Sequence, residues 1–321
     1  MYLDFYNLKT EPFSLSPDPR FLFLTASHKE AMAHLKYGLI QHKGFVVILG
    51  EVGTGKTTLL NALLAKIPNE VIYAFISNPI LSRQEFFRLL AHYYKLGPVT
   101  DKADFLIKFS SYLERAYYDN KSIVLIIDEA HCLSETILEE IRLLSNLETP
   151  NAKLINIILC GQLEFEPILR QEKFLPLRQR ISLKYTLRPL TLSETESYIH
   201  LRLSKAGADD TRIFTSIAIR HIYNYTNGIP RLINMVCDHA LLTGFVKDSS
   251  IIDDKIIREC VEELEGKKHL IKEGAALKEK EGNNIVKEFW DYLISSESKP
   301  AIVVSSVVIF FVLLFFLFVL I

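Results

Sequence analysis

Five short, almost wholly apolar runs mark the first 190 residues of the chain. They are FVVILG (45–50), VIYAFIS (71–77), SIVLIID (122–128), INIILCG (155–161) and ISLKYTL (181–187). Runs with little polar alternation are typical of strands buried on both faces, as in a parallel sheet covered by helices. The pattern therefore predicts a parallel sheet of about five strands.

Longer stretches with apolar residues three or four positions apart lie between these runs. They are TTLLNALLAK (57–66), RQEFFRLLAHYY (83–94), ADFLIKFSSYLERAYY (103–118) and SETILEEIRLLSNL (134–147). This spacing predicts helices whose apolar faces pack on the sheet. The alternation of strand and helix predicts a doubly wound α/β domain over residues 45–188.

Residues 189–265 continue with helical spacing and show no further strand pattern. The sequence SETE at 193–196 fits a capping box, in which a Ser hydroxyl and a Glu carboxylate bind free N–H groups at a helix start. Asn227 and Gly228 fit a helix end, and Pro230 fits the first turn of the next helix. We therefore predict a small all-helical lid domain.

The last 21 residues, 301–321, contain no charged side chain. A helix of this length spans about 31 Å, close to a bilayer hydrocarbon core of about 30 Å. We predict a transmembrane helix over 300–321 that follows a charged linker at 266–299. Lys287 and Lys299 precede the span, which places its N-terminal side in the cytoplasm.

Charge and cysteine content exclude several other classes of protein. The chain has 37 basic and 38 acidic residues, so it has no overall field that would attract nucleic acid. Its four cysteines are far apart and form no CxxC pair, which is typical of reduced thiols in a cytoplasmic protein. The N-terminal sequence MYLDFYNLKTEPF has neither the basic nor the apolar region of a secretory signal. We expect the folded part of the protein to stay in the cytoplasm.

The sequence GEVGTGKTT at 50–58 lies between the first predicted strand and a predicted helix. This is the context that the phosphate-binding P-loop motif GxxxxGK[ST] requires. Backbone N–H groups and the helix N-terminus would bind phosphate oxygens of ATP, with Lys56 on the β- and γ-phosphates and Thr57 on Mg²⁺. The predicted nucleotide-binding residues of this loop are Gly50, Glu51, Val52, Gly53, Thr54, Gly55, Lys56, Thr57 and Thr58.

The sequence IVLIIDEAH at 123–131 supplies a second element of a nucleotide site. The apolar strand brings Asp128 to the sheet edge, where it would hold Mg²⁺, and Glu129 would be the general base that polarises the attacking water. An acidic strand end that only caps the following turn is the alternative. The letters DEAH also occur in some helicases, but those enzymes need two tandem nucleotide-binding cores, and too few folded residues follow the first core here.

The chain resembles the AAA+ ATPases in three features: the P-loop, the strand that ends in Asp128 and Glu129, and a following helical region that contains the sequence GIPR at 228–231. More narrowly, the chain resembles the family of general secretion pathway protein A, which has relatives in type IV pilus and exopolysaccharide-export loci. The resemblance covers about residues 1–265. Its matching stretches are PFSLSPDPRFLFLTASHKEAMAHLKYGL (12–39), GFVVILGEVGTGKTTLL (44–60), LIIDEAH (125–131), ILCGQLEF (158–165), LRQRI (177–181) and TNGIPRLIN (226–234).

The resemblance implies roles for four further residues. Gln162 matches the sensor-1 position, which orients the attacking water, and Arg231 matches the sensor-2 position, which reaches the γ-phosphate from the lid. Arg180, with Arg178 as the reserve, matches the arginine finger that enters the site of a neighbouring subunit. From the residues alone, Gln162 could be an ordinary strand-end residue, Arg231 a surface residue, and either finger candidate a member of a salt bridge.

The resemblance also implies that the N-terminal segment, residues 1–44, borders the nucleotide. Its PDPRF sequence (17–21) would pack over the adenine, although Phe13 and Phe21 could equally belong to the core. We expect His28, on the helix that follows, to be a partly exposed residue rather than a ligand.

By this resemblance, the chain is expected to be a single-pass protein of the bacterial inner membrane, with a cytoplasmic domain that hydrolyses ATP as a homo-oligomer, a hexameric ring being one form. Its partner would belong to a secretion, pilus or exopolysaccharide-export system, and we do not expect nucleic acid as a partner. In general secretion pathway protein A, a periplasmic region that binds peptidoglycan follows the span. This sequence ends with the span, so we do not expect it to handle the cell wall or a secretin directly unless a separate protein supplies the outer part.

Two other functions stay open at this point. One is a DNA-binding AAA+ ATPase of the transposition or initiation type, which looks similar up to the lid. The other is a nucleotide-gated scaffold, in which ATP binding orders an assembly and hydrolysis is incidental.

Overall fold

The computed structural model describes residues 1–16, 18–40, 44–149 and 152–266. Residues 1–260 form one compact unit, and the chain from residue 261 onward belongs to a second unit. Of this second unit, the structure describes residues 261–266, which are helical. The predicted transmembrane helix at 300–321, and the linker beyond residue 266, lie outside the described residues. Within the described ranges, no helix has both the length and the apolar character that a membrane crossing requires.

A parallel sheet lies at the centre of the first unit. In the described part of the chain, the strands are β1 (Phe45–Gly50), β2 (Val71–Ile76), β3 (Ser122–Ile127), β4 (Glu148–Thr149), β5 (Ala152–Lys153), β6 (Ile155–Gly161) and β7 (Ile181–Leu187). Five of these are parallel, in the order β2-β3-β6-β1-β7, and β4 pairs with β5 antiparallel. The predicted five-stranded parallel sheet is therefore confirmed. The sequence did not predict β4 and β5, because strands of two residues are too short to show a period.

Helices follow most of the strands. They are α1 (Tyr2–Phe5), α2 (Ala26–Ile40), α3 (Lys56–Leu64), α4 (Arg83–Tyr93), α5 (Lys102–Tyr118), α6 (Glu135–Leu144), α7 (Phe165–Arg170), α8 (Leu175–Arg178), α9 (Leu192–Lys205), α10 (Ser216–Thr226) and α11 (Pro230–Val246). Residues 254–266 form a further helix.

The buried side chains of β1 show how the sheet is covered. Val46 and Ile48 belong to a core that includes residues of α2 and α3, whereas Val47 and Leu49 belong to a core built with α4, α5 and α6. Successive residues of a strand point to opposite faces of a sheet, so helices cover both faces. This is the doubly wound arrangement that the alternating pattern predicts.

One predicted helix start is wrong. The capping box forms at Thr191 and Glu194, not at 193–196, and α9 begins accordingly at Leu192. The Thr191 hydroxyl accepts from the Glu194 N–H (3.2 Å), and the Glu194 carboxylate accepts from the Thr191 N–H (2.9 Å). Two S/T-x-x-E patterns overlap in TLSETE, and the structure uses the earlier one. Leu190, just before it, donates its N–H to the Gly228 carbonyl.

The other predicted boundaries in this region are correct. α10 ends at Thr226 and is capped by Asn227, which has a φ of 48°, and α11 begins with Pro230 at its first position. An αL residue at a helix end and a proline at a helix start are the usual signals for these two boundaries.

The N-terminal segment packs against α9 and α11. Arg202 of α9 is buried, and its guanidinium donates to the carbonyls of Pro12 and Ser14 and lies 4.8 Å from the centre of the Phe21 ring. Phe13 is 1 % exposed. Phe13 and Phe21 are thus core residues, and the contact between this segment and the adenine stays a prediction.

The four cysteines carry free thiols, as the sequence predicts. Cys160, Cys237 and Cys260 are buried, whereas Cys132 is exposed. Burial raises the pKa of the Cys160 and Cys237 thiols well above the ordinary value, so both stay protonated at neutral pH.

Candidate nucleotide-binding site

The P-loop connects the end of β1 to the start of α3. Gly53 and Gly55 have φ values of +82° and +96°, a left-handed conformation that favours glycine. A Cβ atom on Gly53 would lie 2.6 Å from the Arg231 Cβ, and one on Gly50 would lie 2.9 Å from the Thr54 hydroxyl. These glycines permit a tight curve that ends at the N-terminus of α3, where N–H groups without intrahelical partners can bind an anion.

Lys56 lies across this loop. Its side chain is largely buried, and its ammonium group donates to the carbonyls of Gly50 and Glu51, both at 2.9 Å. An ammonium group has three protons, so one remains for a phosphate oxygen. Lys56 is therefore held at the place where the motif requires a cation.

Thr57 and Asp128, the predicted ligands of Mg²⁺, are in direct contact. The Thr57 hydroxyl donates to Asp128 Oδ2 at 2.6 Å, and Asp128 Oδ1 accepts from the Glu129 N–H at 2.9 Å. Asp128 is 3 % exposed. A hydroxyl and a carboxylate are hard oxygen donors of the kind that Mg²⁺ prefers, so the residues present fit this ion.

Glu129 lies one residue beyond Asp128, in a left-handed backbone conformation with a φ of 51°. For a residue with a Cβ atom this conformation costs about 1–2 kcal/mol, and such strain is concentrated at functional sites. The Glu129 side chain is 41 % exposed, and its Oε2 accepts from Gln162 Nε2 at 3.3 Å. Because β3 and β6 are neighbours, their carboxyl ends bring the predicted general base and the predicted sensor together.

His131 is a member of this site that the sequence did not reveal. Its Nδ1 accepts from the backbone N–H of Gln162 at 3.4 Å and lies 3.5 Å from Glu129 Oε2. The sequence shows this residue only as the last letter of a helicase-like tetrapeptide. Its contacts arise because residues 130–132 form a short 3₁₀ turn that brings His131 back toward the end of β6.

The N-terminus of α11 packs directly on the P-loop. The Arg231 N–H donates to the Gly53 carbonyl at 3.3 Å, while the Arg231 side chain is exposed. Just before α11, a Cβ atom on Gly228 would lie 1.9 Å from the Leu190 carbonyl oxygen. The glycine of the GIPR sequence thus allows the close approach that brings the predicted sensor-2 residue to the phosphate loop.

The two finger candidates bond to residues of α6 and α7 rather than to the P-loop. Arg178 is exposed and donates to the Arg170 carbonyl at 3.1 Å. Arg180 is half-buried and donates to the Ser145 hydroxyl at 2.7 Å and to the Arg142 carbonyl at 3.3 Å.

His28 is not partly exposed, and the expectation from the sequence is wrong. The residue is 5 % exposed, because the first turn of α2 packs under the P-loop. His28 Nε2 lies 3.2 Å from the Thr54 carbonyl oxygen, and Nδ1 lies 2.7 Å from the Thr25 hydroxyl. Burial lowers the pKa of the imidazole below its ordinary value.

Two sequence comparisons find relatives of this chain. The family model for an AAA domain matches residues 39–169. General secretion pathway protein A of Aeromonas hydrophila is 40 % identical over 252 residues, which make up 78 % of this chain and 46 % of that protein. The match thus spans less than half the length of that relative.

Solved structures show the same fold at low identity. The ORC2 protein of Aeropyrum pernix, in ADPNP–ADP complexes, has a TM-score of 0.56 and 17 % identity, covering 79 % of this chain and 72 % of that one. Cdc6p from Pyrobaculum aerophilum has a TM-score of 0.59 and 18 % identity, covering 78 % of this chain and 70 % of that one. At this level of identity, the likeness shows the fold alone.

The parallel sheet, the glycine-rich loop before α3 and the acidic pair after β3 agree with these matches. The loop, the acidic pair and four of the five parallel strands lie within residues 39–169, which the AAA domain model matches. The chain therefore belongs to the AAA+ protein family, in the group of general secretion pathway protein A.

Proposed function

We propose that this chain is a membrane-anchored ATPase that hydrolyses Mg-ATP as a homo-oligomer and drives the assembly or operation of a cell-envelope export system. One observation carries the proposal. The carboxyl ends of three adjacent strands bring together the P-loop, the Thr57–Asp128 pair and the Glu129–Gln162 pair, with contacts of 2.6 Å and 3.3 Å within the pairs.

Binding of the nucleotide would use the P-loop amides and the remaining proton of Lys56. Thr57 and Asp128 would hold Mg²⁺, which when bound neutralises charge on the β- and γ-phosphate oxygens. The buried carboxylate of Asp128 already accepts two hydrogen bonds, from Thr57 and from the Glu129 N–H, so its orientation is fixed before the nucleotide arrives.

Hydrolysis would use Glu129 as the general base. Its carboxylate is partly exposed, as a group that must reach a water molecule needs to be. The Gln162 amide donates to the same carboxylate and would hold it in line with the γ-phosphate. Arg231, at the start of the helix that contacts Gly53, would supply positive charge from the lid.

A shared site would explain why an oligomer is needed. An arginine supplied by a neighbouring subunit stabilises the charge of the transferring phosphoryl group in many nucleotide hydrolases. Arg180 is the first candidate and Arg178 the second. The exposure of Arg178 and the bonds that fix Arg180 to the end of α6 are both compatible with presentation to a neighbour.

The envelope role rests on the named relative and on the sequence of the tail. The relative's name places that protein in a general secretion pathway. We extend this to a secretion, type IV pilus or exopolysaccharide-export system, with the catalytic unit on the cytoplasmic face of a bacterial inner membrane. Residues 301–321, which contain no charged side chain, would be the anchor.

The first test is an ATPase assay on the full chain in detergent micelles. The rate per subunit is measured over a wide range of protein concentration, with and without duplex DNA, and Lys56→Ala controls for contaminating enzymes. We expect a rate that rises with concentration and does not respond to DNA. A rate that Lys56→Ala leaves unchanged would contradict ATP hydrolysis at this site, and a rate that rises only with DNA would favour the DNA-binding alternative.

A second test separates an ATPase from a nucleotide-gated scaffold. Glu129→Gln would bind ATP without hydrolysing it. Export that continues with this variant would favour the scaffold, whereas loss of export would favour the enzyme.

A further inference from the structure

The Thr54–Gly55 peptide lies at the centre of the P-loop, and its carbonyl points away from solvent toward His28. Thr54 is 1 % exposed and His28 is 5 % exposed. The distance from His28 Nε2 to the Thr54 oxygen is 3.2 Å, and a Cβ atom on Gly55 would lie 3.1 Å from the same nitrogen. The imidazole thus fills the space directly behind the phosphate loop.

The hydrogen-bond partners of His28 assign the protonation of this imidazole. His28 Nε2 lies beside the Thr54 carbonyl, which can only accept a hydrogen bond, so the ring proton is on Nε2 and is donated there. In a neutral ring, Nδ1 then has no proton and accepts from the Thr25 hydroxyl, 2.7 Å away. The same hydroxyl accepts from the backbone N–H of His28 at 3.3 Å. The lowered pKa of His28 agrees with a neutral ring.

The direction of the Thr54 carbonyl determines the direction of the next amide. In a planar trans peptide, the C=O of one residue and the N–H of the next point to opposite sides. While His28 holds the Thr54 oxygen behind the loop, the Gly55 N–H points to the opposite side. Gly55 has no Cβ atom to oppose a rotation of the Thr54–Gly55 peptide, so without this hydrogen bond the peptide could flip. The flip would point the Thr54 carbonyl oxygen, instead of the Gly55 N–H, at an anion.

We propose that His28 is a positioning residue for the phosphate loop: by donating Nε2–H to the Thr54 carbonyl, it keeps the Gly55 amide directed toward the phosphates of ATP. The proposal rests on the proposed function of this loop as the ATP site. His28 would act on binding through the loop and would not itself touch the nucleotide.

The test measures the Kd of a fluorescent ATP analogue, with Mg²⁺, for the full chain and its variants. His28→Phe keeps a ring but removes the donor, and we expect Kd to rise about tenfold, which corresponds to about 1.4 kcal/mol. His28→Gln keeps an amide donor near the position of Nε2, and we expect Kd to stay within about threefold of the parent value. His34→Phe, on the same helix but not bonded to the P-loop, is the matched control and should bind as the parent does.

A second measurement does not depend on how well His28→Phe folds. Thr25→Val keeps the imidazole but removes the hydroxyl that donates to Nδ1 and so supports the tautomer with its proton on Nε2. We expect Thr25→Val to raise Kd about threefold and to speed amide hydrogen exchange in residues 50–58.

Three outcomes have distinct meanings. Binding within twofold of the parent value for both His28→Phe and Thr25→Val would overturn the positioning role. Binding by His28→Gln that is as weak as that of His28→Phe would overturn it too, because the donor would then not matter. If the parent protein itself binds no better than Lys56→Ala, the proposed ATP site fails, and this result is obtained before any His28 variant is made.

Discussion

At the scale of single residues, Glu129 shows how strain and function coincide. Its left-handed backbone follows directly after a buried strand, and its N–H donates to the Asp128 carboxylate. This tight turn separates two neighbouring carboxylates, so that Asp128 faces Thr57 while Glu129 faces Gln162. Two adjacent acidic residues thereby acquire different surroundings.

Glu129→Gln should separate binding from hydrolysis. The amide has the size of the carboxylate but cannot accept a proton, so we expect the hydrolysis rate to fall at least about 100-fold while the Kd for Mg-ATP changes by less than about threefold. Phosphate release and analogue binding measure the two quantities. Glu135→Gln, at an exposed position of α6, is the control. If Glu129→Gln weakened Mg-ATP binding as much as it slowed hydrolysis, Glu129 would not be a base that acts only in the chemical step.

Gly228→Ala should destabilise the protein strongly. The new Cβ atom would lie 1.9 Å from the Leu190 carbonyl oxygen, at a φ of +74°. Because backbone must move to relieve this contact, we expect the free energy of unfolding in urea to fall by about 3 kcal/mol. Gly97→Ala is the matched control. Gly97 has a φ of +81° but no atom within 4 Å of the added Cβ, so only strain of about 1 kcal/mol is expected. Equal losses for the two variants would contradict the importance of the close contact.

At the scale of elements, a buried arginine of α9 is one of the contacts that hold the N-terminal segment. The Arg202 guanidinium donates to two carbonyls of the segment and to the Tyr198 hydroxyl at 2.7 Å, and it lies over the Phe21 ring. Phe21, which it contacts, lies four residues before Thr25, and α2 begins at the next residue, with its first turn under the P-loop. The segment thus connects α9 to the helix that supports the phosphate loop.

Arg202→Met should loosen this connection. The substitution keeps apolar volume but leaves buried carbonyls without their donor, which costs about 1–3 kcal/mol in the free energy of unfolding. Chemical denaturation measures the loss, and limited proteolysis should show earlier cleavage within residues 1–25. The control, Arg212→Met, removes an exposed arginine paired with Asp210 and should change stability by less than about 0.5 kcal/mol. If the N-terminal segment of Arg202→Met were cleaved no earlier than that of the parent protein, Arg202 would not be the residue that holds this segment in place.

At the scale of the whole molecule, His28 couples protonation to folding. Its pKa in the folded protein lies below the usual value of about 6.5, mainly because burial disfavours the charged ring, while the Thr54 carbonyl and the nearby Glu194 act in the opposite direction. Below pH about 6.5 the unfolded chain therefore binds more protons than the folded protein at this position.

The stability contributed by a neutral His28 should be intact above pH about 6.5 and lost as the pH falls from there through the lower folded pKa. Urea denaturation at several values between pH 7.5 and 5 measures this for the parent protein and for His28→Gln, which has no titrating group here. We expect the parent to lose more stability than the variant over this range. Parallel losses would show that His28 is not the group responsible.

A site shared between subunits should allow two defective proteins to restore each other. Arg180→Ala keeps its own Glu129, and Glu129→Gln keeps its own Arg180, so in an equal mixture about a quarter of the interfaces between neighbours would have both residues. We expect each variant alone to be nearly inactive and the mixture to recover up to about a quarter of the parent ATPase rate. Recovery with Arg178→Ala but not with Arg180→Ala would identify Arg178 as the finger. A mixture that stays inactive in both cases would contradict a shared site.

The sequence by itself determined the features that depend on neighbouring residues. The inner strands of the sheet, the P-loop before α3 and the acidic pair after β3 are all encoded in contiguous patterns. A strand buried inside a parallel sheet needs a continuous apolar run, and a phosphate loop needs its glycines at fixed spacing. These local requirements also explain why α10 and α11 end and begin where Asn227 and Pro230 predict.

Only the tertiary structure decided which side chains support the site. His28 bonds to a loop 26 residues away, Gln162 bonds to a base 33 residues away, and Arg202 bonds to a segment about 190 residues away. The structure likewise selects Thr191, and not Ser193, as the cap of α9. Burial and hydrogen-bond partners arise where elements distant in the sequence pack together, and a one-dimensional pattern of polar and apolar residues contains no record of that packing.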